Sequence, residues 1–283
     1  IRPEWVASGE MGKIALCIGT TGGERRLIEL FNQNFSINRK ITLTEQNLDA
    51  CVTDNLTAGV GIELKLSGFT SVFGTACSSG NYAISRGYDL VRSGKFDYAI
   101  VGGVDSFSLM VFTGFNRLFS VAPEKCQPFD KNRKGIIPGE GSGFLFLESL
   151  GSAERRNVNL YAEILGYGMS CDASHMTVSS VNGISVSMEK ALKEAHIAPE
   201  EVDYISAHGT GTVENDAAEC QAVNRVFGKR TKEIPMSSIK SMLGHTMGAA
   251  SAIEAIACCL TVKNDIIPPT INFQPPDPEC DID

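Results

Sequence analysis

Short apolar runs alternate with amphipathic stretches along most of the chain, which predicts buried strands that are followed by helices. The predicted strands are residues 14–18, 70–75, 98–101, 143–147, 160–165, 202–207 and 235–239. Gly102-Gly103 is predicted to end the third of them. The clearest helical periodicities lie at residues 83–91, 188–195 and 216–227. This alternation indicates an α/β fold with a largely parallel, layered sheet.

Two stretches depart from this alternation. Residues 32–56 are polar and weakly patterned, which predicts surface loop and a short helix. Residues 246–262 form the most apolar run, but they are rich in Gly, Ala and Ser and contain Glu254. We therefore predict a buried core helix there, and no membrane span.

Composition narrows the class of protein. The 283 residues are 43% hydrophobic and 20% charged, which is typical of a globular protein with a sizeable core. A formal net charge of -8 and the lack of a long Lys/Arg run argue against a nucleic-acid partner. The nine cysteines show no C-x-x-C spacing, which favours a reduced, cytoplasmic setting over a disulfide framework or a zinc site.

Cys77 lies among small residues between the predicted strand at 70–75 and the predicted helix at 83–91. A helix start directs unpaired N–H groups and the positive end of the helix dipole toward such a thiol. This environment is expected to lower the thiol pKa and to favour the nucleophilic thiolate. A small buried cysteine in a tight turn is an equally good interpretation of this segment taken alone.

Two of the four histidines follow predicted strands and lie near glycines. His208 follows the strand at 202–207, and His245 follows the strand at 235–239. The carboxyl ends of parallel strands are where α/β proteins place their ligand sites. A cysteine with histidines at such positions is the general arrangement for thiolate catalysis. The glycine-rich segment 19–23 matches no phosphate-binding motif and is predicted to be a plain turn.

Three motifs resemble those of the β-ketoacyl-[acyl-carrier-protein] synthases, the ketosynthases of fatty acid and polyketide synthesis. They are Thr75-Ala-Cys77-Ser-Ser-Gly80, His208-Gly-Thr-Gly-Thr212 and Lys240-x-x-x-Gly-His245-x-x-Gly-Ala-Ala250. Further matches in the family's order are Pro128-Phe-Asp130-x-x-Arg133, Gly139-Glu140-Gly141 and Pro268-Pro-Thr-Ile-Asn272. Asp130 and Arg133 are close enough in sequence to pair. The resemblance implies a thiolase-like α-β-α-β-α layered fold of two similar halves, residues 1–149 and residues 150–283.

The resemblance also implies a role for each motif residue. Cys77, in the first half, is the nucleophile that accepts an acyl group, and His208 and His245, in the second, act on the malonyl thioester. Lys240 is expected to pair with Glu219 and to hold the histidines. The second supporting residue is Asp216, and the substrate-binding candidates are Thr210, Thr212, Phe112 and Phe115. No metal is implied.

The implied reaction is an elongating condensation. Cys77 takes an acyl group from the phosphopantetheine thioester of an acyl carrier protein, and a malonyl group on a second carrier loses CO2 and attacks the acyl-cysteine. The protein itself is expected to bind no cofactor. Its expected assembly is a homodimer or a heterodimer with a related ketosynthase subunit. Candidates for a basic carrier surface are Lys125, Lys131 and Lys134.

The chain departs from the family pattern at both ends. It begins without the family's first strand and stops at Asp283, before a C-terminal Asn-Ser-Phe-Gly-Phe-Gly-Gly segment. We therefore expect a protein of residues 1–283 alone to be poorly soluble or nearly inactive, with strands near Cys77 open to solvent on one side. Two alternatives stay open: a starter-loading or hydrolytic cysteine-dependent acyltransferase, and an inactive dimerising partner subunit, against which Cys77 argues.

Overall fold

A computed structural model describes residues 13–39, 51–174, 178–274 and 277–280. These residues form two compact units, each assembled from three segments of the chain. The first unit holds the described residues of Ile1–Gly114, Gly139–Tyr161 and Thr246–Cys259. The second holds the described residues of Phe115–Pro138, Ala162–His245 and Leu260–Asp283. The division into two similar halves at residue 149 stays a prediction.

The first unit is built on a four-stranded sheet in the order β2-β1-β3-β4. Its strands are β1 (Ile14–Gly19), β2 (Thr70–Phe73), β3 (Tyr98–Asp105) and β4 (Gly141–Glu148). Strand β1 pairs in parallel with β2 and β3, whereas β4 runs antiparallel to β3. All six residues of β1 are buried, and its Ile14, Leu16 and Ile18 form a core cluster with Ile100 of β3. Edge strand β2, which precedes Cys77, has no buried residue.

Nine α-helices accompany the strands within the described residues. They are α1 (Arg25–Asn38), α2 (Asn55–Glu63), α3 (Ser79–Arg92), α4 (Leu109–Arg117), α5 (Leu150–Arg156), α6 (Val181–Ala195), α7 (Val213–Phe227), α8 (Lys240–Leu243) and α9 (Ala250–Asn264). The helices predicted at 83–91, 188–195 and 216–227 are confirmed as α3, α6 and α7. Of the surface loop and short helix predicted at residues 32–56, residues 32–38 are the end of helix α1, and residues 40–50 lie outside the described residues.

Helix α9 is only partly the buried helix that the sequence predicts. Ala250, Ser251 and Ala252 are buried at its beginning, whereas Val262 near its end is 68% exposed. Small side chains at the start let the helix backbone pack closely against α3, whereas the last turn is not buried. Across the part of the chain that the structure describes, no helix is both long and apolar enough to cross a membrane.

The second unit contains a short parallel pair, β5 (Ile205–Ser206) and β6 (Met236–Ser237). The predicted strands at 202–207 and 235–239 are therefore shorter than expected, because only two residues of each segment pair in register. Helix α7 packs against α6, and its Val223 and Phe227 form a core with Ile234. Glu219, in the buried part of α7, bonds to the backbone of the loop that follows β5.

The Gly102-Gly103 dipeptide lies inside β3 and does not end it, contrary to the prediction. A Cβ atom at Gly102 would lie 2.0 Å from the carbonyl oxygen of Gly143 on β4. A Cβ atom at Gly103 would lie 2.5 Å from the carbonyl oxygen of Gly248. These glycines are therefore required by close backbone packing within a continuous strand, which extends as far as Asp105.

The strand predicted at residues 160–165 is wrong. The structure forms no strand there, and Leu160, Tyr161 and Leu165 are 49%, 54% and 49% exposed. An apolar run predicts a strand when one face of it is buried. Here the apolar side chains are left half in contact with solvent, so the condition behind the prediction does not hold.

Candidate active site

Cys77 lies at the turn between β2 and α3, as predicted. It belongs to a single 3-10 turn, Ala76–Ser78, that leads directly into α3. The residue before it, Ala76, has a φ of 53°, which is an uncommon and strained value for a residue with a Cβ atom. The thiol is partly exposed and is in no disulfide. We call the segment Thr75–Ser79 the cysteine elbow.

Ser79 fixes the shape of the cysteine elbow from inside. Its side chain is fully buried, and its Oγ accepts a hydrogen bond from the backbone N–H of Thr75 at 2.9 Å. The same hydroxyl can donate to the carbonyl oxygen of Ala76 at 2.6 Å or to that of Thr20 at 3.1 Å. The Ser79 side chain thus holds the strained turn through Thr75 and Ala76, and its Oγ also lies within hydrogen-bond distance of the loop after β1.

The segment Thr246–Ala252 packs against the start of α3 in the same unit. A Cβ atom at Gly80 would lie 2.7 Å from the backbone nitrogen of Ala252, so only glycine permits this approach. The backbone N–H of Asn81 donates to the Oγ of Ser251 at 3.0 Å. The glycines and serines of the two motifs therefore serve close packing around the cysteine elbow.

His208 belongs to the second unit and is held there by two ionisable side chains. The carboxylate of Glu219, on α7, accepts hydrogen bonds from the backbone N–H groups of His208 at 2.7 Å and Gly209 at 2.8 Å. The Nζ of Lys240 donates to the carbonyl oxygen of His208 at 2.7 Å. It also lies 3.2 Å from the ring Nδ1. Lys240 and Glu219 are both buried, and they interact electrostatically.

The contact with Lys240 determines which ring nitrogen of His208 carries the proton. An ammonium group has three donors and no acceptor, so the Nδ1 of His208 must accept. A neutral imidazole has one N–H, and that N–H is then at Nε2. His208 can therefore donate a hydrogen bond to a ligand through Nε2 while its other nitrogen stays occupied by Lys240.

His245 follows α8 and is almost fully buried, at 2% exposure. Its backbone N–H donates to the carbonyl oxygen of Ile137 at 2.7 Å. Gly244 before it has a φ of 73°, and a Cβ atom there would lie 2.7 Å from the same carbonyl oxygen. The rings of His245 and His208 meet edge to face, with their centroids 5.4 Å apart. The two imidazoles thus form a pair within one unit.

The surroundings keep this pair of imidazoles uncharged. Burial lowers the pKa of His245 to about 3, and the positive charge of Lys240 acts in the same direction. Loss of surrounding water, with the charge of Lys240 and the neighbouring His245, lowers the pKa of His208 well below its usual range. Burial raises the pKa of Glu219 to about 7, against the opposing effect of its two backbone hydrogen bonds and Lys240.

We expect the two imidazoles to resist protonation in the folded protein. In NMR spectra of protein labelled with 13C at the histidine rings, the His208 and His245 signals should not shift between about pH 8 and about pH 5.5. In urea-unfolded protein the same residues should titrate near pH ~6.5. Because only the unfolded chain then gains these protons, the free energy of unfolding should decrease as the pH falls from ~6.5 toward the folded value. A His245 titration near pH ~6.5 in the folded protein would contradict the described environment.

Asp216 supports the loop after His208 and not its ring. One carboxylate oxygen accepts from the backbone N–H of Thr210 at 2.9 Å, and the other accepts from that of Phe129 at 2.9 Å. Burial raises the pKa of this carboxyl group, while the hydrogen bonds and nearby Arg133 oppose that effect. Thr210 and Thr212 meet through their hydroxyl oxygens at 2.9 Å. Their role in binding substrate stays a prediction.

Phe112 and Phe115, the other substrate-binding candidates, both lie on α4 and are both partly buried. The ring of Phe112 is 6.1 Å from that of Phe107. This contact gives the helix an aromatic cluster in the first unit. Contact of either candidate with a substrate stays a prediction.

Arg133 pairs differently from the prediction. Its guanidinium donates to the backbone carbonyl of Asp130 at 3.1 Å, while its carboxylate partners are Asp277 and, at 3.8 Å, Asp216. The Asp130 carboxylate instead accepts from the backbone N–H groups of Asn132 and Gln274. The physical reason is that backbone N–H groups surround Asp130, whereas Arg133 is directed toward α7. The motif still fixes a loop, through the main-chain contacts of Asp130 and the ion pairs of Arg133 with Asp277 and Asp216.

Two family models together match nearly the whole chain. Residues 4–153 match the model of the beta-ketoacyl synthase N-terminal domain, and residues 161–274 match that of the C-terminal domain. Nodulation protein E of Rhizobium leguminosarum bv. trifolii is 43% identical over 227 residues, which are 79% of this chain and 56% of that protein. The 3-oxoacyl-[acyl-carrier-protein] synthase 2 of Staphylococcus aureus is 39% identical over 240 residues, 82% of this chain and 60% of that protein. The chain thus spans less than two thirds of the length of these relatives.

A solved structure shows that the likeness extends to the fold. The ishigamide ketosynthase/chain length factor superposes with a TM-score of 0.91 at 40% identity, covering 95% of this chain and 67% of that chain. The predicted α/β, thiolase-like fold class is confirmed. Together with the cysteine elbow and the Lys240-bound histidine pair, the two domain matches establish that this chain belongs to the beta-ketoacyl synthase family.

Proposed function

We propose that the protein catalyses the decarboxylative condensation of an acyl thioester with a malonyl thioester, giving a β-ketoacyl thioester. The observation that carries this proposal is the neutral histidine pair with its Lys240 contact. Decarboxylation of a malonyl thioester develops negative charge on the thioester oxygen. Neutral imidazoles can donate N–H groups to this oxyanion and stabilise it. Because they carry no charge, they do not form an ion pair with the malonyl carboxylate that has to leave.

Cys77 supplies the covalent step. Its thiolate attacks the carbonyl carbon of an acyl thioester, the S–C bond to the carrier thiol breaks, and the departing thiolate takes up a proton. The acyl group is then held as a cysteine thioester. The start of α3 favours negative charge at the elbow, and the Cys77 backbone N–H is our candidate donor to the tetrahedral oxyanion.

The second half-reaction forms the carbon–carbon bond. The malonyl carboxylate leaves as CO2, and its bonding electrons move into an enolate whose oxygen accepts from His208 Nε2–H and from His245. The enolate carbon attacks the acyl carbonyl on Cys77. The S–C bond then breaks and returns the thiolate. Lys240 and Glu219 have positioning roles in this scheme because they hold the ring and the backbone of His208.

Acyl carrier proteins are the proposed partners, because the name of the Staphylococcus aureus relative specifies a 3-oxoacyl group on an acyl carrier protein. The substrates then arrive on the carriers' phosphopantetheine, and the chain itself needs no cofactor. A homodimer, or a heterodimer with a related ketosynthase subunit, is the proposed assembly. All nine cysteines are outside disulfides, which supports a reducing, cytoplasmic location.

The proposal is tested by incubating the full-length protein with an acyl-carrier and a malonyl-carrier and identifying the carrier-bound products by mass spectrometry. A β-ketoacyl-carrier two carbons longer than the donor is expected. Release of free acid without elongation would favour a starter-loading or hydrolytic acyltransferase. No acylation of Cys77 would favour a dimerising partner subunit. The similar ishigamide structure supports this alternative, because its name pairs a ketosynthase with a chain length factor.

Three lysines of the second unit, Lys125, Lys131 and Lys134, are exposed and are proposed to attract an acidic carrier. Replacing all three with glutamate should slow carrier-dependent turnover at low salt and have less effect at high salt, because exposed charges are screened. Turnover should be compared at about 0.05 M and about 0.5 M NaCl. The single charge reversal Lys229→Glu, also at an exposed position, is the control for a change of charge elsewhere on the surface and should leave the rate unchanged. Equal rates for the triple variant and the control at low salt would exclude this surface.

A further inference from the structure

Asp105, at the end of β3, has a buried carboxylate that accepts four hydrogen bonds within the first unit. One oxygen accepts from the hydroxyl of Thr20 at 2.7 Å and from the backbone N–H of Gly22 at 3.3 Å. The other accepts from the backbone N–H groups of Thr21 at 2.8 Å and Gly248 at 2.6 Å. A buried carboxylate is costly unless it is hydrogen-bonded, and this one has partners at both oxygens.

The two segments that Asp105 joins both contact the cysteine elbow. The carbonyl oxygen of Thr20, in the loop after β1, lies 3.1 Å from the Ser79 Oγ, and a Cβ atom at Gly19 would lie 2.3 Å from the Ser79 backbone. The 3-10 turn Met247–Ala249 packs against the turn Ala76–Ser78. The Asp105 carboxylate therefore bonds to two segments that each contact the strained backbone next to Cys77.

That backbone needs external support. Ala76 at a φ of 53° and Met247 at a φ of 53° are both in the left-handed region, which is strained for a residue with a side chain. Such conformations persist only where the surroundings impose them. Hydrogen bonds to a carboxylate are about twice as strong as neutral ones, so Asp105 is suited to impose them.

We propose that Asp105 is a positioning residue that fixes the geometry of the cysteine elbow by joining the loop after β1 to the turn Met247–Ala249. It does not contact a reacting atom in this scheme and acts through Thr20, Ser79 and Gly248. The inference rests on the proposed function where it concerns acyl transfer. Its prediction for the chemical reactivity of Cys77 is independent of that function.

The first test is Asp105→Asn in the full-length protein. The amide replaces one acceptor oxygen with an NH2 group that must face N–H or O–H donors, so the two segments should separate. We expect kcat for acyl transfer to Cys77 to fall about 10- to 100-fold with KM little changed, the scale of a misplaced reacting group. The rate of Cys77 alkylation by iodoacetamide should change about 5-fold or more, measured by peptide mass spectrometry.

A milder pair of variants keeps the inference testable if Asp105→Asn does not fold. Thr20→Val removes the hydroxyl that donates to Asp105, whereas Thr20→Ser retains it. Thr20→Val should reduce acyl transfer and alter alkylation in the same direction as Asp105→Asn, and Thr20→Ser should restore both. Equal behaviour of the Val and Ser variants would overturn the inference.

Glu29→Gln is the matched control for general loss of stability. Glu29 is also a buried carboxylate of the first unit, and it accepts from the Ser108 hydroxyl at 2.7 Å and the Met110 N–H at 2.6 Å. It should lower the melting temperature without altering Cys77 alkylation. If Glu29→Gln changed alkylation as much as Asp105→Asn, the effect would be general and the inference wrong. A wild-type protein that fails to acylate Cys77 would refute the proposed function alone, because the alkylation comparison still decides the role of Asp105.

Discussion

Cys77→Ala is expected to abolish condensation while leaving decarboxylation of malonyl-carrier measurable. The thioester with Cys77 is the only covalent intermediate in the proposed scheme, so no other group can hold the acyl chain. The enolate, in contrast, is stabilised by the histidine pair of the second unit, which the substitution does not alter. Loss of one activity with retention of the other therefore separates the two half-reactions.

Cys171→Ala is the control for this experiment, because Cys171 is an exposed cysteine with no proposed role. It should retain both activities. Condensation is followed as β-ketoacyl-carrier formation and decarboxylation as CO2 release. Condensation by Cys77→Ala at the wild-type rate would remove Cys77 as the nucleophile and would favour its interpretation as a small residue in a tight turn.

Replacing either His208 or His245 with alanine should reduce condensation by at least about 10²-fold, the usual scale for a positioned oxyanion donor. The loss should appear mainly in kcat, because these N–H groups are proposed to act on charge that develops in the transition state. Measured in the Cys77→Ala background, decarboxylation should fall by a similar factor. This assay isolates the enolate step from acyl transfer.

His196→Asn is a suitable control for the histidine variants. His196 is exposed and has a φ of 57°, a conformation that asparagine tolerates better than alanine. The control should leave both rates unchanged. A negligible effect of His245→Ala would favour a structural role for that residue, whose backbone N–H already bonds to Ile137.

The parts of the site that depend on local sequence could be predicted. Cys77 between a strand and a helix, and His208 after a strand, could be predicted because β2, α3 and β5 lie in segments with a continuous apolar or helical pattern. The sequence also predicts His245 after a strand, but it follows the short helix α8. The contacts that support the histidines are harder to predict from local sequence. Lys240 meets His208 across 32 positions of sequence, and only the family resemblance indicated that Lys240 holds the histidines.

Other features depend on three-dimensional packing that periodicity does not encode. Gly102-Gly103 has the composition of a strand end, yet β3 passes through it because neighbouring backbones approach too closely for a side chain. Asp105 is the last residue of β3 and belongs to no recognised motif, so its four hydrogen bonds could not be predicted before the loop after β1 and the turn Met247–Ala249 were seen together.

The most direct test of the proposed condensation is a single-turnover chase. The full-length protein is first acylated from a carrier, the mass of the peptide containing Cys77 is recorded, and malonyl-carrier labelled with 13C at its methylene carbon is then added. We predict that Cys77 loses its acyl group as the labelled carbon appears in a carrier-bound β-ketoacyl product that contains the original acyl chain. Loss of the acyl group as free acid, with no label joined to it, would contradict the proposal.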